Sequence, residues 1–203
     1  MHFQIIEIKP GVPHVYGATL AQEHMRAVKQ RRRGADASDT MLLVDFTGVL
    51  SVTPSYIKGT VLEAMPGASG AAANSDADAD ASVRANLYPA ICGCSRDVAA
   101  DIHEFLIGRD VAVLHVTKRR EDHILAAKLF GSLDEVLLRT LLRLANRGSA
   151  TAAELAENSD DKISVNGWNN RLADLYLLRL ATRHRKGKFW IYSPVAERIT
   201  TWA

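Results

Sequence analysis

The sequence predicts an α/β protein: an N-terminal domain with a parallel or mixed sheet, then a smaller α+β domain. Apolar runs alternate with helical patterns over the first 130 residues, which is typical of β-α-β units whose helices cover a sheet. After Gly131 the pattern changes to amphipathic helices and a basic hairpin. A hydrophobic fraction of 47% in 203 residues supplies enough apolar side chains for a core.

Four apolar segments are predicted as strands of the N-terminal sheet. They are residues 2–8, 41–46, 87–92 and 111–116. The run MLLVDF at 41–46 is apolar up to Asp45, and an unbroken apolar run of this length predicts a central strand buried on both faces. With the helices between these segments, the predicted order is β-α-β-α-β-α-β.

Three helices are predicted between these strands. Residues 18–31 carry an apolar stripe at helical spacing and end in a cluster of cations, which suits the helix dipole. Thr53 and Pro54 favour a second helix start, with a hydroxyl at the N-cap and proline at the first helical position. Ser95 is predicted to cap the third helix. The apolar residues on one face of that helix are Val98, Ile102, Phe105 and Leu106.

Residues 67–86 form a low-complexity segment of small side chains and alternating aspartates. Such a segment cannot bury enough apolar area to order itself, so a flexible insertion is predicted there. We therefore expect an α/β domain over residues 1–130, interrupted at 67–86, and a second domain over residues 131–203.

The second domain is predicted to contain three helices. Residues 133–144 form an apolar helical stripe that ends at Arg147-Gly148. Thr151 and Glu154 have the spacing of a capping box at the start of a short helix. The buried stripe predicted for the last helix is Val165, Trp168, Leu172 and Leu175.

Three asparagines, Asn166, Asn169 and Asn170, fall on a different face of that last helix. Asparagine amides pair bidentately with adenine edges, and the first turns of a recognition helix are where such contacts occur. A polar face turned to solvent is the alternative. Arg171 is a candidate to bind a phosphate or to pair with Asp174, and the sequence does not separate the two.

A basic hairpin follows the helix. Residues 180–182 and 189–192 are predicted strands, and the turn lies at Lys186-Gly187-Lys188. The candidate phosphate-binding cations of the hairpin are Arg183, Arg185, Lys186 and Lys188. Each cation that reaches a phosphate adds salt-dependent affinity that does not depend on base sequence. The alternative is a charged hairpin that is only solvated.

Residues 133–194 resemble the winged helix-turn-helix family, with NNRLADLYLLRLATR similar to the third helix running into the wing. The resemblance implies that the chain binds double-stranded DNA. Base contacts would come from the asparagines, and phosphate contacts from Arg171 and the hairpin cations. A homodimer on paired half-sites is then expected. Winged helices also serve as protein-binding modules.

The segment VDFTGVLSVTPSYIKGTVL resembles the STAS-like domains found beside bacterial DNA-binding modules. STAS proteins that act as anti-sigma-factor antagonists carry a phosphorylatable serine at the start of the corresponding helix. Thr53 and Ser55 are candidate phosphosites in that region, although Thr-Pro-Ser replaces the usual Asp-Ser-Ser-Gly-like signature. The resemblance implies a bacterial transcription regulator controlled by a STAS-like domain or by a regulatory protein partner. The alternative is an interaction or phospho-switch module that does not bind DNA.

Other functional classes have little support in the sequence. No run of about 18 apolar residues predicts a membrane span, and the N-terminus reads as a strand rather than a signal peptide, so we expect a cytoplasmic protein. Cys92 and Cys94 form neither a disulfide framework nor a zinc site, and are buried thiols or a redox pair. Asp45 ends a central strand, where α/β folds place active groups, but a lone aspartate usually bonds the following loop. We expect no enzyme, catalytic residue, metal or cofactor.

Overall fold

The computed structural model describes residues 3–32, 39–66, 86–158 and 163–202. The protein is mixed α/β with a mainly parallel central sheet, and the described residues contain six helices. The predicted insertion at 67–86 lies, apart from Asn86, outside the described residues. In the described part of the chain, none of the helices is long and apolar enough to cross a membrane.

The described residues contain ten strands. In chain order, β1 to β10 are Gln4–Ile8, His14–Val15, Thr40–Asp45, Ser51–Val52, Leu87–Cys92, Ala112–Arg120, His123–Gly131, Ala181–Lys186, Phe189–Pro194 and Arg198–Thr201. The central sheet has the order β1-β3-β5-β6-β7-β10. Its first four strands are parallel, whereas β7 runs antiparallel to β6 and parallel to β10. The short strands β2 and β4 pair with each other, as do β8 and β9.

The helices begin close to the residues that the sequence predicts. In chain order, α1 to α6 are Ala18–Arg32, Pro54–Ile57, Arg96–Ile107, Glu135–Arg147, Ala152–Glu157 and Val165–Leu177, and α2 continues into a π-helical turn over Lys58–Leu62. Ser95 accepts a hydrogen bond from the Val98 N–H at 3.3 Å and so caps α3 as predicted. The capping box of α5 is also confirmed, since Thr151 and Glu154 bond each other's backbone N–H groups.

The central sheet is covered on both faces. Every residue of β3 is buried, and its alternating side chains point to opposite faces. Leu42 and Val44 pack in one cluster with buried residues of α1, α2 and α3. Met41 and Leu43 belong to a second cluster that includes Leu141 of α4 and residues of α5 and α6. The C-terminal helices therefore pack against the sheet and share a continuous core with it.

Strands β7 and β10 are absent from the predicted strand order, which ended at residue 116. Strand β10 follows the C-terminal hairpin but pairs with β7, so the end of the chain returns to the N-terminal sheet. Its Ile199 joins the cluster formed with α4, α5 and α6. The strand has only four residues, too few for a period of two to stand out. The predicted division into residues 1–130 and 131–203 stays a prediction.

Candidate nucleic-acid interface

Helix α6 has one face in the core. Its N-cap Ser164 accepts a hydrogen bond from the Gly167 N–H at 3.1 Å, which satisfies one of the unpaired donors of the first turn. Trp168, Leu172 and Leu175 are buried as predicted. Val165 is not part of this stripe, because it lies in the first turn and is 48% exposed.

Asn166, Asn169 and Asn170 are all exposed on α6. Their spacings of three and four residues place them next to one another on the helix surface, and this surface differs from the face that carries Trp168 and Leu172. The amides are therefore free of the core. An exposed row of this kind has the reach to meet base edges in a groove.

Two arginines flank the ring of Trp168. The guanidinium carbon of Arg171 lies 5.5 Å from the ring centroid, and that of Arg143 on α4 lies 5.4 Å from it. The ion pairs among the described residues do not include one between Arg171 and Asp174, the second possibility raised by the sequence. Arg171 is half-buried, so its aliphatic stem is packed while it remains in reach of solvent.

The basic hairpin consists of β8 and β9 in a regular antiparallel ladder that pairs Ala181 with Pro194 and Lys186 with Phe189. Its turn is Gly187-Lys188. Gly187 has φ +61°, a left-handed conformation that glycine adopts without strain and that suits two-residue hairpin turns. The strands are longer than predicted and carry the tip away from the core.

The exposed cations of the hairpin are Arg185, Lys186 and Lys188. The carboxylate of Glu154 is held by hydrogen bonds from Thr151, which lower its pKa, and the charges of Arg147 and Lys186 lower it further. One acidic group thus lies close enough to Lys186 to be influenced by it. Arg185 and Lys188 complete a local excess of positive charge at the tip.

Arg183 occupies a different environment from the other hairpin cations. Its guanidinium carbon lies 4.1 Å from the ring centroid of Tyr176 and 4.4 Å from that of Trp190. A guanidinium between two rings is held by cation–π attraction, while its planar edge can still donate hydrogen bonds. The sequence did not indicate this stack, because Tyr176 belongs to α6 and Trp190 to the far strand of the hairpin.

Arg179, which lies just after α6, is buried and does not belong to the exposed basic patch. It has φ +61°, and its guanidinium carbon lies 5.4 Å from the rings of both Tyr88 and Tyr176. Tyr88 belongs to β5 of the central sheet. Arg179 therefore links the end of α6 to the sheet.

An isolated antiparallel bridge connects the hairpin to the chain between α4 and α5. The N–H of Ala150 donates to the carbonyl of Tyr192, and the N–H of Tyr192 donates to the carbonyl of Ala150, both at 2.9 Å. Tyr192 is itself buried. The hairpin base is therefore fixed against α4, α5 and α6, and only its outer half projects.

The candidate phosphosites lie elsewhere, on the face of the sheet opposite α6. The hydroxyl of Thr53 accepts a hydrogen bond from the Gly17 N–H at 3.2 Å and lies 3.0 Å from the hydroxyl of Ser55. It makes no capping bond to α2, so the predicted hydroxyl cap is corrected. Ser55 is exposed, whereas Thr53 is half-buried.

Asp45 bonds the loop that follows its strand. Its Oδ1 accepts hydrogen bonds from the Thr47 N–H at 3.0 Å and the Thr47 hydroxyl at 2.6 Å, and its Oδ2 lies 3.3 Å from Lys9 Nζ. Burial favours a higher pKa for Asp45, but the Thr47 hydrogen bonds and the Lys9 charge outweigh it and lower the pKa. The carboxylate is thus ionised and used structurally.

The two cysteines are protonated thiols at neutral pH. Burial is the main cause that raises the pKa of Cys92 and of Cys94 to about 12. A thiol needs its thiolate form to bind metal or to attack an electrophile. Among the described residues, no group of three or more histidine, cysteine or acidic side chains is placed to hold a metal ion.

Neither a protein family, nor a curated protein, nor a solved structure matches this chain. The exposed amide row of α6 and the basic hairpin beside it are therefore the features from which a function is inferred.

Proposed function

We propose that this protein is a DNA-binding regulator whose C-terminal part is a winged helix-turn-helix and whose N-terminal part is a STAS-like domain. The observation that carries the proposal is the juxtaposition of an exposed asparagine row on α6 with a projecting basic hairpin. Elements α4, the bridge at Ala150, α5, α6 and the β8–β9 hairpin follow in the order expected for a winged helix. Helix α6 would enter the major groove, and the hairpin would lie on the neighbouring backbone.

The proposed contacts divide by chemistry. Asn166, Asn169 and Asn170 would contact base edges, since a carboxamide both donates and accepts. The cations proposed to bind phosphates are Arg171, Arg183, Arg185, Lys186 and Lys188. Arg183 would donate from the edge of its stacked guanidinium. Its phosphate contact is therefore preorganised by Tyr176 and Trp190, whereas the lysines lose side-chain freedom on binding.

We propose that the protein acts as a homodimer, because one winged helix reads only a short site. Leu137, Leu138 and Leu142 of α4 pack against the core and are half-buried, and their exposed parts would supply such a contact. The STAS-like part, alone or with a regulatory protein, would control binding. The packing of α4 and α6 against the sheet supports this coupling, because a change in the sheet would be transmitted through the shared core.

The wing is tested by a salt series. The variant Arg185→Ala/Lys186→Ala should weaken binding to a duplex and reduce the slope of log K against log salt concentration by about two, one for each lost phosphate contact. Lys118 and Arg120 are exposed cations on the β6–β7 hairpin, so Lys118→Ala/Arg120→Ala is a control with the same loss of charge. Fluorescence anisotropy measures both. Equal affinities and slopes for the two variants would contradict the proposed wing.

A second candidate function has one observation in its favour. Tyr16 and Leu50 are exposed apolar side chains, and exposed apolar groups are a feature of protein-binding surfaces. Gly17, the neighbour of Tyr16, bonds the hydroxyl of Thr53, which lies 3.0 Å from that of Ser55. The protein would then be an interaction or phospho-switch module that does not bind DNA. In that case wild type should show no detectable duplex binding. Ser55→Asp, which mimics phosphorylation, should alter binding to a protein partner.

A further inference from the structure

The two aromatic side chains at the outer end of the hairpin differ in their contacts. Trp190 is 37% exposed, and its ring centroid lies 4.4 Å from the guanidinium carbon of Arg183 and 5.8 Å from that of Arg185. Phe189 is 62% exposed. No ring or cation contact among the described residues involves Phe189. One aromatic ring is thus held by cations, and the other is presented to solvent.

The backbone fixes the position of Phe189. It is the first residue after the Gly187-Lys188 turn and pairs directly with Lys186 across the ladder. Directly opposed residues of an antiparallel pair point to the same face, so Phe189 and Lys186 project together. The two strands of the hairpin hold the Phe189 ring at the hairpin tip, away from the core. The exposure of the Phe189 side chain is therefore set by the regular hairpin geometry.

The charges around Phe189 restrict what can cover it. Lys186 and Lys188 are exposed close to it in the ladder and turn, and Arg185 is exposed on the same hairpin. Single exposed apolar side chains are common, but the centres of protein interfaces are depleted of lysine. A surface that offers flat apolar area beside closely spaced negative charge is complementary to this tip. Nucleic acid has this combination, in its base faces and its phosphates.

We propose that Phe189 stacks on a base of the bound DNA, with Lys186 and Lys188 on the flanking phosphates. This rests on the proposed function and specifies how the hairpin engages the duplex. The ring inserts at a base step and locally unstacks it, as apolar side chains do when they enter the minor groove. The hairpin then recognises steps that unstack easily, which adds a preference for flexible pyrimidine–purine steps to the bases read by α6.

The test compares Phe189→Ala with Phe189→Trp on the full chain. The probe is a mixed-sequence duplex of about three helical turns with 2-aminopurine in place of adenine at its TA steps, because this base fluoresces more strongly when unstacked. Wild type and Phe189→Trp should raise the 2-aminopurine emission. Phe189→Ala should bind about tenfold more weakly without that rise, and its salt slope should be unchanged. Ile107→Ala, at a 50% exposed apolar residue of α3, should match wild type.

The outcomes separate this inference from the proposed function. If wild type binds the duplex and Phe189→Ala binds equally well with the same emission, base stacking is wrong and DNA binding stands. If Phe189→Ala instead dissociates a dimer in sedimentation without a change in emission per bound chain, Phe189 is a subunit contact and the inference is overturned. Undetectable duplex binding by wild type overturns the proposed function and the inference together.

Discussion

Gly93 lies where β5 leaves the sheet, beside the hydrogen-bonded pair of Asp45 and Thr47. Its φ is +69°, and a Cβ at this position would lie 2.3 Å from both Asp45 Oδ1 and Thr47 Oγ1. Such distances are shorter than any van der Waals contact. Glycine therefore permits Asp45 to bond the following loop while β5 passes alongside it.

Gly93→Ala should destabilise the fold through backbone strain and through displacement of the Asp45 carboxylate. Strain alone costs about 1–3 kcal/mol, and the lost hydrogen bonds add to it. Gly48 is a matched control because it has φ +80° in the neighbouring loop and open space around it, so Gly48→Ala causes strain without a clash. Urea unfolding measures both free energies. Equal losses of unfolding free energy for the two variants would show that displacement of Asp45 does not add to the destabilisation.

The hairpin cations show which residue-scale features the sequence could predict. Exposed positions such as Arg185 and Lys188 follow from a charged turn. The environments of Arg179 and Arg183 do not, because their partners Tyr88, Tyr176 and Trp190 are brought close only by the packing of different elements. The sequence therefore indicates the basic patch, but not the aromatic stacking that holds Arg183 or the burial of Arg179.

At the scale of elements, most helices and strands follow from the sequence, because their apolar periods are clear. The buried stripe of α6 is confirmed at Trp168, Leu172 and Leu175. The prediction that Val165 is buried is wrong, because residue spacing does not reveal where a helix leaves the core. Strand β7, HILAAKLFG, was missed. Its apolar residues form a run of four, Ile124 to Ala127, and a pair, Leu129 and Phe130. This pattern suits neither a period of two nor a helical stripe, and the pairing with β6 is what selects the strand.

We expect a histidine cluster that joins α3, β6 and β7 to make stability depend on pH. The Gly131 N–H donates to Nδ1 of His103 at 2.9 Å, so this nitrogen is unprotonated. Both His103 and His115 contact the ring of Phe130, at centroid distances of 5.7 and 4.7 Å. Burial lowers the pKa of both imidazoles, and the charge of Lys128 lowers that of His115 further.

Acidification from about pH 7.5 to about pH 5 should therefore lower the urea midpoint. The folded-state pKa values of both imidazoles lie below the unfolded value of about 6.5. The stability that the neutral imidazoles contribute is therefore complete above that pH and is lost as the pH falls through the folded-state pKa values. His103→Gln/His115→Gln should reduce this difference without removing it, because burial also lowers the pKa of His24. His184→Gln, at an exposed histidine of the hairpin, should retain it. A midpoint that is equal or higher at the lower pH would contradict the argument.

At the scale of the whole molecule, the C-terminal part is joined to the sheet. Strand β10 extends the sheet beyond β7, and one apolar cluster runs from Met41 in β3 to Leu172 in α6. The change in sequence pattern near residue 131 predicts a division of the chain there. That change is local, whereas the pairing of β10 joins residues 198–201 to residues 126–129, and no local pattern reports such a contact.

The shared core also bears on how the proposed DNA binding would be controlled. Helix α6 packs one face in the core and exposes the asparagine row on another, so a shift of the sheet would displace the proposed base-contacting row. Base contacts are sensitive to such displacements, since hydrogen bonds weaken steeply with distance and angle. Regulation by the N-terminal part would then need a change in packing rather than release of a separate domain.

Genome-wide recovery of bound DNA tests the central claim most directly. Wild type and Asn166→Ala/Asn170→Ala would be tagged, cross-linked in cells and compared with an untagged control. For wild type, we predict enrichment at sites that share a short motif, with paired half-sites about 10 base pairs apart or a multiple of that spacing. The variant should lose the motif and retain only dispersed binding. Absence of wild-type enrichment over the untagged control would contradict DNA binding and favour the interaction module.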